Sequence, residues 1–222
     1  SDDYTDGNGN EVHSRYLRWS GNAALGWTPD ERTRLELSGA LSDGEAAYAD
    51  RAMDGVKFAR DNLGLRFERQ LAGPHVQAIE AQAYYNYVDH VMDNYSLREF
   101  TPSMTMPFRS VSNPDRETTG GRFTADLAFG ERITATVGVD LQENRHTLRS
   151  TMNESMMPFE EMKRAEDGRF RNVGVFGELT RAAGPSGRVS TGLRMDDWYA
   201  KDSCQTLRVG GAAAPKPTAE EE

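Results

Sequence analysis

Residues 14–28, SRYLRWSGNAALGWT, alternate between two kinds of side chain along their whole length. In an extended strand, successive side chains point to opposite faces, so a period of two indicates a strand with one apolar face. The apolar face would carry Leu17, Trp19, Gly21, Ala23, Leu25 and Trp27. The more polar face would carry Tyr16, Arg18, Ser20, Asn22, Ala24 and Gly26.

The same alternation recurs along most of the chain. It covers Thr33–Asp43, Asn62–Phe67, Gln77–Val91, Thr119–Phe129, Ile133–Leu148, Arg171–Arg181 and Arg188–Tyr199. With the first stretch this predicts about eight strands, several of them about ten residues long, which is the length that a tilted membrane strand needs.

The connections between these stretches alternate in length. Short turns are predicted at Thr28–Glu31, Leu71–Val76, Gly130–Arg132 and Ala182–Gly187. Long loops are predicted at Gly44–Val56, Asp93–Thr118 and Arg149–Phe170. Outer-membrane barrels have short periplasmic turns, long extracellular loops and aromatic girdles near the strand ends. The sequence therefore predicts an all-β fold made of antiparallel transmembrane β-barrel strands. A soluble β-sandwich or a lipocalin-like barrel also alternates and is the alternative.

Composition agrees with a barrel wall. Only 37% of the 222 residues are hydrophobic, which is low for a packed α/β core but suits strands with one apolar face. The net charge of -9 argues against a nucleic-acid partner, which needs a basic face. The single cysteine, Cys204, excludes an internal disulfide framework. We find no GxSxG, HExxH or phosphate-binding glycine motif, and we predict that the protein is not an enzyme.

One predicted strand carries a candidate metal site. Within residues 84–95, YYNYVDHVMDNY, His90 and Met92 are two apart and therefore share a face with the polar residues Glu80, Gln82 and Asn86. That face would line the lumen near the extracellular mouth. A thioether beside an imidazole is a soft ligand pair that suits copper. Such spacing also arises by chance, so the alternative is that Met92 fills a gap and His90 makes a hydrogen bond in the lumen.

Other candidates are weaker. Six methionines in the predicted long loops would either capture metal transiently or pack the loops together; they are Met104, Met106, Met152, Met156, Met157 and Met162. The acidic N-terminal residues resemble calcium ligands only in type, because their spacing does not match an EF-hand loop. His13, His75 and His146 have no partner at metal-ligand spacing.

Three segments together resemble the TonB-dependent copper receptors of bacterial outer membranes. They are residues 14–55, residues 81–98 (AQAYYNYVDHVMDNYSLR) and residues 113–122 (NPDRETTGGR), and the likeness extends from about Asp3 to about Asp202. The resemblance implies that an HxM motif on the barrel, here His90 and Met92, supplies two ligands to a copper ion that is transported cargo rather than a cofactor. It implies two further ligands from a CxxxM motif on a plug domain. This chain has no CxxxM, since Arg208 stands four positions after Cys204.

The resemblance also implies partners and a larger whole. We expect contact with outer-membrane lipid and energy coupling to a TonB complex through a plug domain and TonB box that are absent here. We expect residues 1–202 to be part of a barrel of about 22 strands. Residues 203–222 are expected to be a tail outside the barrel wall, because alternation is lost there and proline lacks a ladder donor. The alternatives are a receptor for a siderophore or metal chelate, or a structural barrel that transports nothing.

Overall fold

The computed structural model describes residues 1–184, 187–202 and 206–210, with side chains for all but the last of these ranges. Two short strands, β1 (Tyr4–Thr5) and β2 (Glu11–Val12), pair with each other near the N-terminus. The main strands are β3 (Tyr16–Asp30), β4 (Thr33–Ala46), β5 (Asp54–Gln70), β6 (Val76–Asp93), β7 (Val111–Phe129), β8 (Ile133–Thr151), β9 (Ala165–Ala183), β10 (Gly187–Asp202) and β11 (Thr206–Gly210). The loop between β8 and β9 contains a 3₁₀ turn, Phe159–Glu161.

The main strands form one antiparallel sheet in chain order, from β3 at one edge to β11 at the other. All eight predicted strands are present, so the all-β antiparallel fold is confirmed. Among the described residues, no helix has the length and apolar character needed to cross a membrane.

Strand β11 lies in the segment that the sequence predicts to be a tail. Its main chain pairs with the outer half of β10, from Lys201↔Thr206 to Asp197↔Gly210. Main-chain pairing needs no apolar side chains, which explains how a stretch without alternation can extend a sheet edge. The rest of residues 203–222 lies outside the described part of the chain, so the boundary at Asp202 stays a prediction.

The strands extend further than the alternation predicts. Strand β5 begins at Asp54 rather than Asn62, and β7 begins at Val111 although Pro114 follows within it. The added residues carry no clear apolar face, so their side chains gave no signal, yet their backbones still pair with neighbouring strands. The long loops are correspondingly shorter, at residues 47–53, 94–110 and 152–164. They still alternate with tight turns such as Gly130–Arg132, where Gly130 has a φ of 67°.

Both faces of the sheet have the predicted composition. The face that carries Leu25, Leu37, Leu65, Phe123 and Val139 is called the apolar face, and all five side chains are exposed. The opposite, polar face carries charged groups such as Arg194, which pairs with Asp140 at 2.8 Å. Among the described residues only Ala47, Val111 and Phe159 are buried hydrophobic residues. The sheet therefore has almost no apolar core of its own.

Candidate metal site

His90 and Met92 lie near the long-loop end of β6, on the polar face, as predicted. In the pairing of β5 with β6, His90 stands opposite Phe58 and Met92 stands opposite Gly55. Both side chains are half-buried. The intervening Val91 points to the apolar face because side chains alternate along a strand.

The imidazole of His90 is packed against an aromatic ring. The ring centroids of His90 and Phe58 are 4.5 Å apart and their planes differ by 26°. The Phe58 ring also covers the backbone of Gly55, where an added Cβ would stand 2.1 Å from the ring's Cζ. A β-bulge between Gly55 and Lys57 brings Phe58 to this position. Glycine is therefore required beside Met92 for the ring to lie flat against His90.

The packing leaves one nitrogen of His90 unused. Its Nε2 is buried and has no hydrogen-bond partner among the described residues. A buried polar atom without a partner costs about 1–3 kcal/mol, so such atoms call for an explanation. The alternative role for His90 was a hydrogen bond in the lumen. Among the described residues, Nε2 makes no such bond.

The other histidines have partners of a different kind. His13 lies between two carboxylates, with Nε2 3.1 Å from Asp54 Oδ2 and Nδ1 3.5 Å from Asp3 Oδ2. His146 accepts a hydrogen bond from Arg116 Nε at 2.7 Å, and His75 stacks on Phe129. Within the described ranges no group of three or more histidine, cysteine, aspartate or glutamate side chains could hold a metal ion. Histidine, cysteine, aspartate and glutamate side chains alone therefore form no complete metal site within the described ranges.

The loop methionines do not behave as a packed set. Met104 is fully exposed, and Met152, Met156 and Met157 are exposed as well. The sulfur of Met106 accepts a hydrogen bond from Asn94 Nδ2 at 3.9 Å. Packing of the loops through these four exposed side chains is therefore not observed.

The acidic N-terminal segment is a closed turn. The Asp6 carboxylate accepts hydrogen bonds from the backbone N–H groups of Asn8 and Asn10 and from the Asn10 amide. These donors, led by the Asn10 N–H, hold the pKa of Asp6 below its ordinary value. Its oxygens are already used, which fits a local turn rather than a calcium loop.

Sequence reasoning missed two residues that contact His90. Phe58 contacts its ring, and Asn113 Nδ2 donates to its carbonyl oxygen at 3.0 Å. Both come from neighbouring strands. A strand alignment of β5, β6 and β7 would have placed them beside His90, but the alternation in β5 began too late to give that register.

Residues 1–215 match the family model "TonB dependent receptor-like, beta-barrel". The chain is similar to a solved structure of the copper transporter OprC, with a TM-score of 0.82 and 40% identity, over 99% of this chain and 35% of that one. A solved FrpB iron transporter from Neisseria meningitidis has a TM-score of 0.69 at 15% identity, over 94% of this chain and 34% of that one. At this identity the second likeness concerns the fold alone. No curated protein matches the chain.

Proposed function

The chain belongs to the TonB-dependent receptor β-barrel family, and on that premise we propose that it is part of a receptor that takes up copper. Receptors of this family lie in the bacterial outer membrane, and the alternation of the strands supports an apolar face toward lipid and a polar face toward the lumen. The long loops are then extracellular, so His90 and Met92 lie near the outer mouth. The chain spans about a third of the copper transporter that it resembles, and the uptake activity is proposed for the whole receptor.

The observation that supports copper most directly is the unused nitrogen of His90. A neutral imidazole nitrogen and a thioether sulfur, two residues apart on one face, are ligands that suit copper and bind magnesium and calcium poorly. The missing hydrogen-bond partner of Nε2 is what a ligand nitrogen requires before the metal arrives. Stacking on Phe58 restricts the ring to one plane, which reduces the entropy lost on binding.

In this proposal the described part of the chain contributes two ligands, His90 and Met92. The family resemblance leads us to propose that a Cys/Met pair on a plug domain completes the site, and that a TonB complex supplies the energy for release. A site shared between wall and plug would be broken when the plug moves. The wall would then serve as a fixed half-site, and transport rather than catalysis would be its role.

The test uses the intact receptor with His90→Ala and Met92→Ala, singly and together. We expect the double variant to lose tight copper binding, because half of the ligand set is gone, while the barrel still assembles. Copper content after purification and affinity against a competing copper(I) chelator are the measurements. Barrel assembly is checked by thermal unfolding.

Matched controls separate the site from histidine and methionine in general. His146→Ala removes another histidine on the polar face, and Met195→Ala removes a methionine on the apolar face. Both should keep wild-type copper content. Unchanged copper stoichiometry in the His90→Ala, Met92→Ala receptor contradicts the proposal, and binding of an organic metal chelate by that receptor would favour the siderophore alternative.

A further inference from the structure

The ladder between β6 and β7 is interrupted beside His90. Pairing runs as far as Asp89↔Asp115 and resumes in the same register at Met92↔Ser112. In that register Pro114 stands opposite His90. Proline has no backbone N–H, so it cannot donate to the carbonyl that faces it. The interruption therefore has a specific cause, which is the missing donor at residue 114.

A side chain takes the place of that donor. Asn113 Nδ2 donates to the His90 carbonyl oxygen at 3.0 Å and to Asp89 Oδ1 at 2.6 Å. Proline lies one residue away, so the amide replaces the lost main-chain bond from the neighbouring position. The backbone of His90 is thereby tied to β7 although the regular ladder bond is absent.

Asn113 is itself held on both sides. Its Oδ1 accepts from Arg164 Nη2 at 2.7 Å and from Arg149 Nη2 at 3.3 Å. Two cationic donors face the oxygen, and a carboxylate and a carbonyl face the nitrogen, so only one orientation of the amide satisfies all four groups. Asn113 has no exposed surface. It is a fixed group rather than a surface side chain that happens to reach His90.

The surroundings add to its rigidity. Arg164 Nη1 also pairs with Asp115 Oδ2 at 2.7 Å, and Lys57 Nζ pairs with Asp89 Oδ2 at 2.8 Å. These contacts lie on the apolar-face side of the wall, while the imidazole of His90 lies on the polar-face side. The network therefore holds the backbone of the proposed ligand from behind, without touching the metal position.

We propose that Asn113 is a positioning residue for His90, replacing through its amide the ladder bond that Pro114 cannot make. This inference rests on the copper function proposed above and adds a residue to it. Groups that orient a metal ligand without touching the metal change affinity about 10–100-fold when they are mutated. A backbone tether of this kind belongs at the lower end of that range.

The experiment measures copper(I) affinity of the intact receptor against a competing chelator. Asn113→Ala should weaken binding about tenfold, because the His90 carbonyl loses its donor. Asn113→Asp keeps an acceptor for Arg149 and Arg164 but has no amide hydrogens, and it should weaken binding to a similar degree. The second variant separates the tether from the arginine contacts and serves the test if Asn113→Ala does not assemble.

The decisive measurement is a rescue. Pro114→Ala restores a backbone N–H opposite His90, so Asn113→Ala with Pro114→Ala should regain affinity to within about twofold of wild type. Pro114→Ala alone should bind normally. Asn144→Ala is the matched control, since it removes an asparagine side chain whose Oδ1 accepts from Thr118 Oγ1 between β8 and β7, away from His90.

The outcomes are distinguishable. Normal affinity in both Asn113 variants, or an affinity loss that Pro114→Ala does not restore, overturns the positioning role. An equal loss in Asn144→Ala overturns it as well, because general loosening of the wall would then explain the effect. If His90→Ala itself binds copper normally in this assay, the proposed function fails, whatever the Asn113 variants do.

Discussion

The middle of the barrel wall and its extracellular rim are built in opposite ways. In the middle, large apolar side chains such as Leu65, Val139 and Leu193 are exposed on one face. At the rim, the buried side chains are mostly polar. Among the described residues, the buried polar side chains are Asp54, Asp93, Asn94, Ser110, Asn113, Asp115, Thr118 and Thr151. Burial and polarity thus go together here, which reverses the arrangement of a soluble domain.

The difference follows from the solvent on each side. In the proposed placement, the apolar side chains of the middle face hydrocarbon, so they need no core to cover them. At the rim the wall emerges into water, and loops fold over it through hydrogen bonds and ion pairs. We therefore expect the middle to be stabilised by backbone pairing and lipid contact, and the rim by its hydrogen bonds and ion pairs. Substitutions should have different effects in the two regions.

Asp54→Ala should have the largest effect, and it should be confined to the rim. The Asp54 carboxylate accepts from Arg98 Nε at 2.7 Å, from Tyr48 N at 2.9 Å and is 3.1 Å from His13 Nε2. Removing one partner of a buried ion pair costs about 3–5 kcal/mol, because the other charge is left unpaired. Amide exchange at Tyr48 should accelerate about 100-fold, since about 3 kcal/mol of local stability is lost.

The control for Asp54→Ala is Asp61→Ala, which removes an exposed carboxylate from the same strand. Exchange at Tyr48 should not change in it. Faster exchange across the middle of β5 in the Asp54→Ala receptor would show that rim and middle unfold as one cooperative unit, so that their stabilities are not independent.

Leu65→Arg tests the middle. Leu65 pairs with Leu37 and Ala83 on the apolar face. An arginine facing lipid near the bilayer midplane costs about 2–4 kcal/mol. Less receptor should assemble in the outer membrane, and its unfolding in lipid vesicles should need less denaturant. Leu65→Ala, which adds no charge, should assemble nearly normally, and equal losses in the two variants would argue against lipid contact at this position.

Gly55→Ala should have the smallest effect of the three substitutions. It tests a rim residue that contacts the proposed site. A Cβ at residue 55 would push the Phe58 ring away from His90, and overpacking of this kind costs about 1–3 kcal/mol. Copper affinity should fall, because the His90 ring loses its stacking on Phe58. Gly39→Ala is the matched control, because its Cβ would meet nothing closer than 3.7 Å. Equal copper affinity in the two variants would show that Phe58 does not contribute to the site.

Much of the wall was predictable from local pattern. Alternation found every long strand, because a wall with one apolar and one polar face has a period of two in its side chains. It failed at Asp54–Asp61 and at Val111–Thr118, where polar and apolar side chains do not alternate regularly. Pro114 added to the error, since proline is disfavoured in a paired strand. Backbone pairing at the rim does not require alternating side chains, so alternation could not reveal it.

The site was predictable only in part. The shared face of His90 and Met92 followed from their spacing. Phe58 and Asn113 did not follow, because their contacts with His90 depend on the register of two other strands and on a bulge in β5. Register between strands is a long-range property, and a single residue of error moves each side chain to the opposite face.

The β5 bulge has a consequence for how such a receptor can evolve. Between Gly55 and Lys57 the strand contains one residue, Val56, more than its partner. Deletion of Val56 alone would keep Gly55 opposite Met92 and Phe58 opposite His90, because the bulge residue has no partner on β6. Deletion of a paired residue further along β5 would instead shift the register by one, and Phe58 would move to the opposite face. Length changes that are harmless in the loops would abolish the proposed half-site when they add or remove a paired residue of β5. Insertions and deletions that the gene tolerates should therefore fall in the codons for the loops, and rarely in the codons for paired residues of the wall.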